Sequence, residues 1–319
     1  MIDNARILAI TGGVGGAKLS LGLAQLLSAE QLAFLVNTGD DFNHLGLHIS
    51  PDIDTLVYTL SGKANLETGW GRRNEGWEFM AALRELGGED WFSLGDKDLA
   101  MHIERTRLLA EGNSLTDVTT RLATASGISH PIFPMCDDSL RTRVRTADAT
   151  LDFQTYFVRE RCAPVVTGFD FDGAANTKMN PKLVAWLREA PPTGIILCPS
   201  NPFVSIDPIL QVNGMRDFLA GSDAPVIAVS PVVGGDAIKG PTVKMMQELG
   251  IPNTAQSVAS HYADFLDGFV LDLEDKQHAE SIQKKDIATV VTQTVMRTLD
   301  DRVALARDCL KCVQQLSSR

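Results

Sequence analysis

RILAITGGVGGAKLS, residues Arg6–Ser20, decides how the chain is read. Arg6–Thr11 is a short apolar run rich in β-branched residues, the signature of a buried strand. Gly12, Gly13, Gly15 and Gly16 crowd into the next five positions, and Leu19–Leu27 resumes with helical spacing. A strand, a glycine turn and a helix point backbone N–H groups and a helix N-terminus at an anion, most often phosphate. Neither familiar nucleotide fingerprint fits. A Walker A loop needs Gly-Lys-Ser/Thr, but Ala17 precedes Lys18 and Leu19 follows it. A Gly-x-Gly-x-x-Gly count from Gly13 ends on Lys18. The expectation is a phosphate site of another kind, set against a tight turn without a ligand.

Acidic residues follow at once. Leu32–Asn37 reads as the second strand and runs into Asn37-Thr38-Gly39-Asp40-Asp41, where α/β folds keep their ligands. Adjacent carboxylates there suit a hard cation that bridges phosphates, normally Mg²⁺, and the alternative is Asp40 as a turn or cap residue. Asp52 and Asp54 lie in His48–Thr55. Either they face the same pocket as Asp40, or they only charge the first turn of a helix over Thr55–Leu60.

The rest of the chain bounds the class. Its 319 residues can bury a large core, and a 44% hydrophobic, 22% charged composition is that of a soluble globular protein. A formal net charge of −11 argues against broad nucleic-acid or anionic-membrane binding. There is no apolar run of bilayer length, and MIDNARILAI leads directly into a strand, so a cytoplasmic protein is expected. Cys136, Cys162, Cys198, Cys309 and Cys312 make an odd, scattered set rather than a disulfide framework. Cys309 and Cys312 have metal-like spacing, but no second pair completes a site, and packing on one helix face is the expectation.

From Gly69 to about Pro164 helical patterns replace strands: Gly76–Leu86, Asp98–Glu111 and Ser114–Ser126, with Ser114 an N-cap. The expected division is a core of 1–68 and 164–319 with a mainly helical insertion at 69–163. Arg141, Arg143 and Arg145 alternate, so a strand puts all three on one face, suited to phosphate or to a solvated edge. Beyond the insertion, Pro164–Gly168, Gly194–Pro199, Pro225–Ser230 and Gly268–Leu273 read as core strands. Leu183–Glu189 reads as a helix, and Thr289–Ala304 as part of the C-terminal helix. Alternating strands and helices give a Rossmann-like, doubly wound, mostly parallel sheet. No catalytic triad emerges, and of the six histidines His48 and His102 stand nearest the acidic segments.

Six blocks in order make the chain resemble the CofD family, the 2-phospho-L-lactate transferases of deazaflavin coenzyme F-420 synthesis. They are GGVGGAKL at Gly12–Leu19, NTGDD at Asn37–Asp41, SPDIDTLVYTLSG at Ser50–Gly62, WFSLGDKDLAMHIERT at Trp91–Thr106, PSNPFVSIDPIL at Pro199–Leu210 and VSPVVGGDAIKGP at Val229–Pro241. The resemblance implies a Rossmann-like core with a helical insertion, commonly a homodimer. It implies Mg²⁺-dependent transfer of a phosphorylated three-carbon acid from a guanosine diphosphate-linked donor to the ribityl hydroxyl of the deazaflavin Fo. The products are the F-420-0 form and GMP; the acid is lactate, enolpyruvate or glycerate. On this reading Gly12, Gly13, Gly15 and Gly16 cradle the diphosphate and Lys18 adds charge. Asp40 holds Mg²⁺ with Asp52 or Asp54, and Asp40 or Asp54 is the alternative base for the ribityl hydroxyl. Ser200 and Asn201 hold the guanosine or Fo, with Asn37, Thr38 and Asp96 from their blocks and Gly234, Gly235 and Lys239 as a further wall. One departure is Gly76, where relatives usually carry threonine or serine. The rival readings are a non-catalytic, nucleotide-sugar-binding regulator of the YvcK-like gluconeogenesis-factor kind and a dinucleotide-dependent oxidoreductase. The missing third fingerprint glycine and the Gly-Asp-Asp cluster weigh against the second.

Overall fold

The computed structural model describes residues 5–65, 70–237 and 240–318. Seven strands form the central sheet: β1 (Ile7–Thr11), β2 (Leu32–Val36), β3 (Ile132–Pro134), β4 (Gly194–Leu197), β5 (Val226–Val229), β6 (Gly268–Asp272) and β7 (Ala288–Thr292). Their order is β3-β2-β1-β4-β5-β6-β7, and every neighbouring pair is parallel. This is the doubly wound arrangement expected. β1 lies inside the sheet, with Ile7 opposite Leu32 on one side and Gly194 on the other. The chain reverses direction across the sheet between β1 and β4, so a crevice opens beyond their C-terminal ends.

All five residues of β1 and of β2 are buried, because helices cover both faces. Alternate side chains of β1 divide between two cores, Leu8 and Ile10 into one and Ile7 and Ala9 into the other. The second core is closed by helix α1 (Gly13–Ala24), helix α2 (Pro51–Leu60) and the C-terminal helix Leu299–Ser317. α1 and the C-terminal helix pack so closely that a Cβ on Gly22 would run into the Arg302 carbonyl oxygen. Cys309 and Cys312 lie buried in this second core, in keeping with packing.

The segment 69–163 differs in part from a helical insertion. It contains helices α3 (Glu78–Glu85), α4 (Asp96–Ala110) and α5 (Leu115–Ala125), and Ser114 caps α5 by accepting from the Asp117 N–H. It also contributes β3 to the main sheet, three residues bounded by prolines and too short to leave a periodic signal. Arg141–Thr146 and Thr150–Asp152 join Val166–Asp172 in a separate three-stranded antiparallel sheet. The expected core strand at Pro164–Gly168 belongs there instead. Its continuation alternates Phe169, Asp170, Phe171, Asp172, the pattern of a half-exposed antiparallel strand. The arginine face is real but already occupied: Arg143 pairs with Asp152 and Asp172, and Arg145 with Asp170. Thr289–Ala304 is likewise not one helix. Its β-branched start, Thr289-Val290-Val291-Thr292, forms β7, and the helix begins at Leu299 behind a Thr298–Asp301 capping box.

No helix among the described residues is long and apolar enough to cross a membrane.

Candidate active site

The crevice at the β1–β4 reversal opens into a cavity of about 610 Å³. Its floor is the start of α1. Gly12 is the extended N-cap residue, with φ −155°, and offers no side-chain cap. Gly13 follows at φ +66°, a left-handed conformation that costs glycine little. Gly12, Gly13, Val14 and Gly15 all line the cavity. A Cβ on Gly15 would strike the Pro199 carbonyl oxygen, so only glycine lets the loop after β4 approach the helix end. Gly16 lies beneath this surface, against Thr11 and Ser200, rather than in the wall. The result is a helix N-terminus with no cap from its own N-cap residue, facing a concavity, a geometry suited to an anion.

Two carboxylates stand beside it. Asn37, fully buried at the end of β2, donates its side-chain amide to Asp40 Oδ1, to Asp52 Oδ2 at 2.9 Å and to the Val204 carbonyl at 3.2 Å. Its own oxygen accepts from the Gly39 N–H at 2.8 Å, which fixes the amide's orientation. Asp52 also accepts from the Gly13 N–H at 2.8 Å, linking the acidic pair to α1. Burial pushes the Asp40 carboxyl well above the usual range, reinforced by the charges of Asp52 and Asp41. Burial likewise pushes Asp52 up to about 6, despite the hydrogen bonds from Asn37 and Gly13. Asp41 turns the other way, toward Ser50 Oγ at 2.8 Å and His48 Nε2 at 3.1 Å.

Both readings of Asp52 and Asp54 hold together: they lie in the first turn of α2, which begins at Pro51 rather than Thr55, and both line the cavity. Their partners differ. Asp54 is gripped at both oxygens by the fully buried Arg105 of α4, with His102 Nδ1 3.6 Å away. That arrangement leaves Asp52, not Asp54, as the carboxylate joined to Asp40. Burial raises the Asp54 carboxyl while Arg105 and His102 oppose the rise.

The other expected residues divide by position. Lys18, Ser200 and Asn201 line the cavity; Lys18 Nζ donates to the Met296 carbonyl at 3.2 Å, and Ser200 Oγ accepts from the Gly12 N–H. Thr38 is buried in the turn below, its carbonyl accepting from the Asp41 N–H. Asp96 instead caps α3, accepting from the Phe79 N–H at 3.0 Å and the Glu78 N–H at 3.3 Å. Gly76 packs on that carboxylate, and a Cβ there would require it to shift. Gly234 and Gly235 form the turn of the hairpin Val232–Ala237 outside the cavity wall. Lys239 lies outside the described residues.

Arg105, Asp98 and Tyr58 belong to the site without having stood out in the sequence. Asp98, His102 and Arg105 follow one another at i, i+4 and i+7 on α4, a spacing that puts them on one face toward α2. Aromatic side chains from Trp70, Phe92, Phe153 and Phe157 complete the cavity wall.

The whole-chain comparisons agree with this geometry. The family model described as "2-phospho-L-lactate transferase CofD" matches residues 7–311. A phosphoenolpyruvate transferase of Kitasatospora aureofaciens is 36% identical over 98% of both chains. A 2-phospho-L-lactate transferase of Methanosarcina mazei is also 36% identical, over 94% of this chain and 98% of its own. Among solved structures, a UPF0052-family protein of Bacillus halodurans aligns with a TM-score of 0.63 at 12% identity, over 96% of this chain and 99% of its own, a likeness of fold. Matched over residues 7–311 and 36% identical to these two transferases along nearly their whole length, the chain belongs to the CofD family of transferases.

Proposed function

We propose that the protein transfers a phosphorylated three-carbon acid from a guanosine diphosphate-linked donor to the ribityl hydroxyl of the deazaflavin Fo, releasing GMP in a step of F-420 synthesis. The observation that carries this reading is the glycine-rich α1 N-terminus, tied by its Gly13 N–H to Asp52, beside the Asp40–Asp52 pair in one cavity. The α1 amides receive the diphosphate, and Lys18 adds positive charge from one helical turn on. Two buried, mutually repelling carboxylates held by one amide are an oxygen donor set that fits Mg²⁺. Among the described residues no three acidic, histidine or cysteine side chains gather into a fuller site. Asp40 and Asp52 would hold the ion, which when bound supplies the charge that screens the diphosphate. Asn37 keeps both carboxylates aimed, and Ser200 and Asn201 hold the guanosine or Fo. The aromatic wall excludes water from the transfer. In a loose phosphoryl-transfer transition state the hydroxyl proton leaves late, so positioning outweighs a strong base. By the same family reading the protein is a cytoplasmic homodimer; size-exclusion light scattering that returned a monomer would remove the dimer.

The test is a mass-spectrometric transfer assay with Fo, GTP, Mg²⁺, a guanylyltransferase, and phospholactate, phosphoenolpyruvate or phosphoglycerate in parallel. The expected result is a Mg²⁺-dependent phosphodiester of Fo whose mass names the acid. No product in any tube, with GDP binding intact, would overturn the reading in favour of a regulator. Gly15→Ala supplies a second check, because its Cβ would force the Pro199 carbonyl off the helix end. It is expected to weaken GDP binding by about tenfold, the scale of a disturbed helix N-terminus, by isothermal calorimetry. Unchanged affinity would move the diphosphate away from α1.

A further inference from the structure

Asp98 lies on the cavity wall, yet nothing so far gives it a task. Its neighbours fix its chemistry closely. The Arg105 guanidinium donates to His102 Nδ1 at 3.2 Å. Guanidinium has only donors, so Nδ1 must present its lone pair, and the neutral ring carries its proton on Nε2. Nε2 lies 3.1 Å from Asp98 Oδ2. On the other side the Tyr58 hydroxyl donates to Asp98 Oδ1. Oδ1 thus accepts from Tyr58, Oδ2 lies beside a buried His102 nitrogen that is not aligned for a hydrogen bond, and both oxygens keep acceptor positions on a carboxylate that lines the cavity. Burial works against its charge, but His102, Tyr58 and Arg105 together hold Asp98 below the usual carboxylate range. It is therefore a poor proton acceptor and a strong hydrogen-bond acceptor.

The geometry points to Asp98 as the residue that orients a hydroxyl of the acceptor's polyol chain. This assignment rests on the acceptor proposed above. The ligand must bring a donor to Asp98, and a polyol brings several. The wall around Asp98 comes from α2, α4 and the 70–93 segment and contains Tyr58, Trp70 and Phe92, which suits a planar ring attached to such a chain. The wall assigned to the diphosphate comes instead from the ends of β1 and β4. Tyr58 and His102 are positioning residues that keep the carboxylate ionised and aimed.

The experiment is a fluorescence titration of Fo, and of analogues lacking one ribityl hydroxyl each, into wild type and Asp98→Asn, with GDP binding measured in parallel. A hydrogen bond to a charged group is worth about 1.5–3 kcal/mol, so Asp98→Asn is expected to weaken Fo by roughly 10–100-fold and leave GDP unchanged. One deoxy analogue should show a similar loss in wild type and no further loss in the variant. Equal hydroxyl penalties in both proteins would overturn the assignment, as would a loss of GDP rather than Fo binding, which would send Asp98 to the guanosine. If the variant does not fold, the wild-type series decides alone: no dependence on any ribityl hydroxyl overturns the assignment. Failure of wild type to bind Fo at all is a separate result and overturns the proposed acceptor itself.

Discussion

Asp40→Asn is expected to lower turnover by about a thousandfold while leaving the metal-free protein as stable as wild type or more so. The loss follows from removing one of two charges that the transfer depends on, an effect of the size seen when an electrostatic stabiliser is deleted. The gain follows from the same pair. The introduced carboxamide can still accept from Asn37, and it removes a buried charge that Asp52 and Asp41 repel. Asp52 gives the pH dependence. Its folded carboxyl is raised to about 6, above the unfolded value near 4, so the folded state keeps a proton that the unfolded state has lost between those limits. Stability of the metal-free protein therefore falls as pH rises through that window, and the raised Asp40 carboxyl carries the fall beyond it. The contribution is on the order of 2–3 kcal/mol. Asp52→Asn should remove it, so the melting temperatures of variant and wild type should diverge across that same window. A folded, fully active Asp40→Asn would remove Asp40 from the chemistry. Superimposable pH profiles for Asp52→Asn and wild type would refute the strained acidic pair.

Arg105→Met is expected to destabilise the protein by about 3–5 kcal/mol, the cost of leaving a buried carboxylate without its partner. Urea denaturation reads it directly as a lower midpoint with an unchanged slope. The pair itself is worth far less than this figure, because its desolvation offsets much of its attraction. Adding Asp54→Asn to Arg105→Met should therefore return most of the lost stability. If the double variant is as unstable as the single one, Arg105 acts through packing rather than charge.

The sheet was legible from sequence because its strands are short, wholly apolar and punctuated by glycine, proline or aspartate. Ile7–Thr11, Leu32–Val36 and Val226–Val229 announce themselves in this way. β3 did not, since three residues between prolines have no period to read. β7 was absorbed into the following helix because Val290 and Val291 continue an apolar pattern whose β-branching was the deciding signal. At the site, Asp40 was legible together with Asp52 or Asp54, because both acidic clusters follow a glycine loop. Asp54 was indistinguishable from Asp52 until Arg105, far away in sequence, claimed it. The acceptor wall was the least visible, because it is assembled from segments with no shared motif. Yet Asp98, His102 and Arg105 did carry a signal, three polar residues on one helical face that becomes buried.

The contact between α1 and the C-terminal helix bears on how the protein is made. β1 and the glycine loop leave the ribosome well ahead of their partners: one flank of β1 must wait for β4, and α1 for the helix that starts at Leu299. Until then a wholly apolar strand has an open edge, the condition under which nascent chains aggregate or engage chaperones. The pairing distances are long, so refolding should be slow for the protein's size. The glycine loop and α1 are made early, and the helix they pack on is made last. Translation that stops anywhere before Leu299 therefore yields a chain with the glycine loop present and α1 without the helix that supports it.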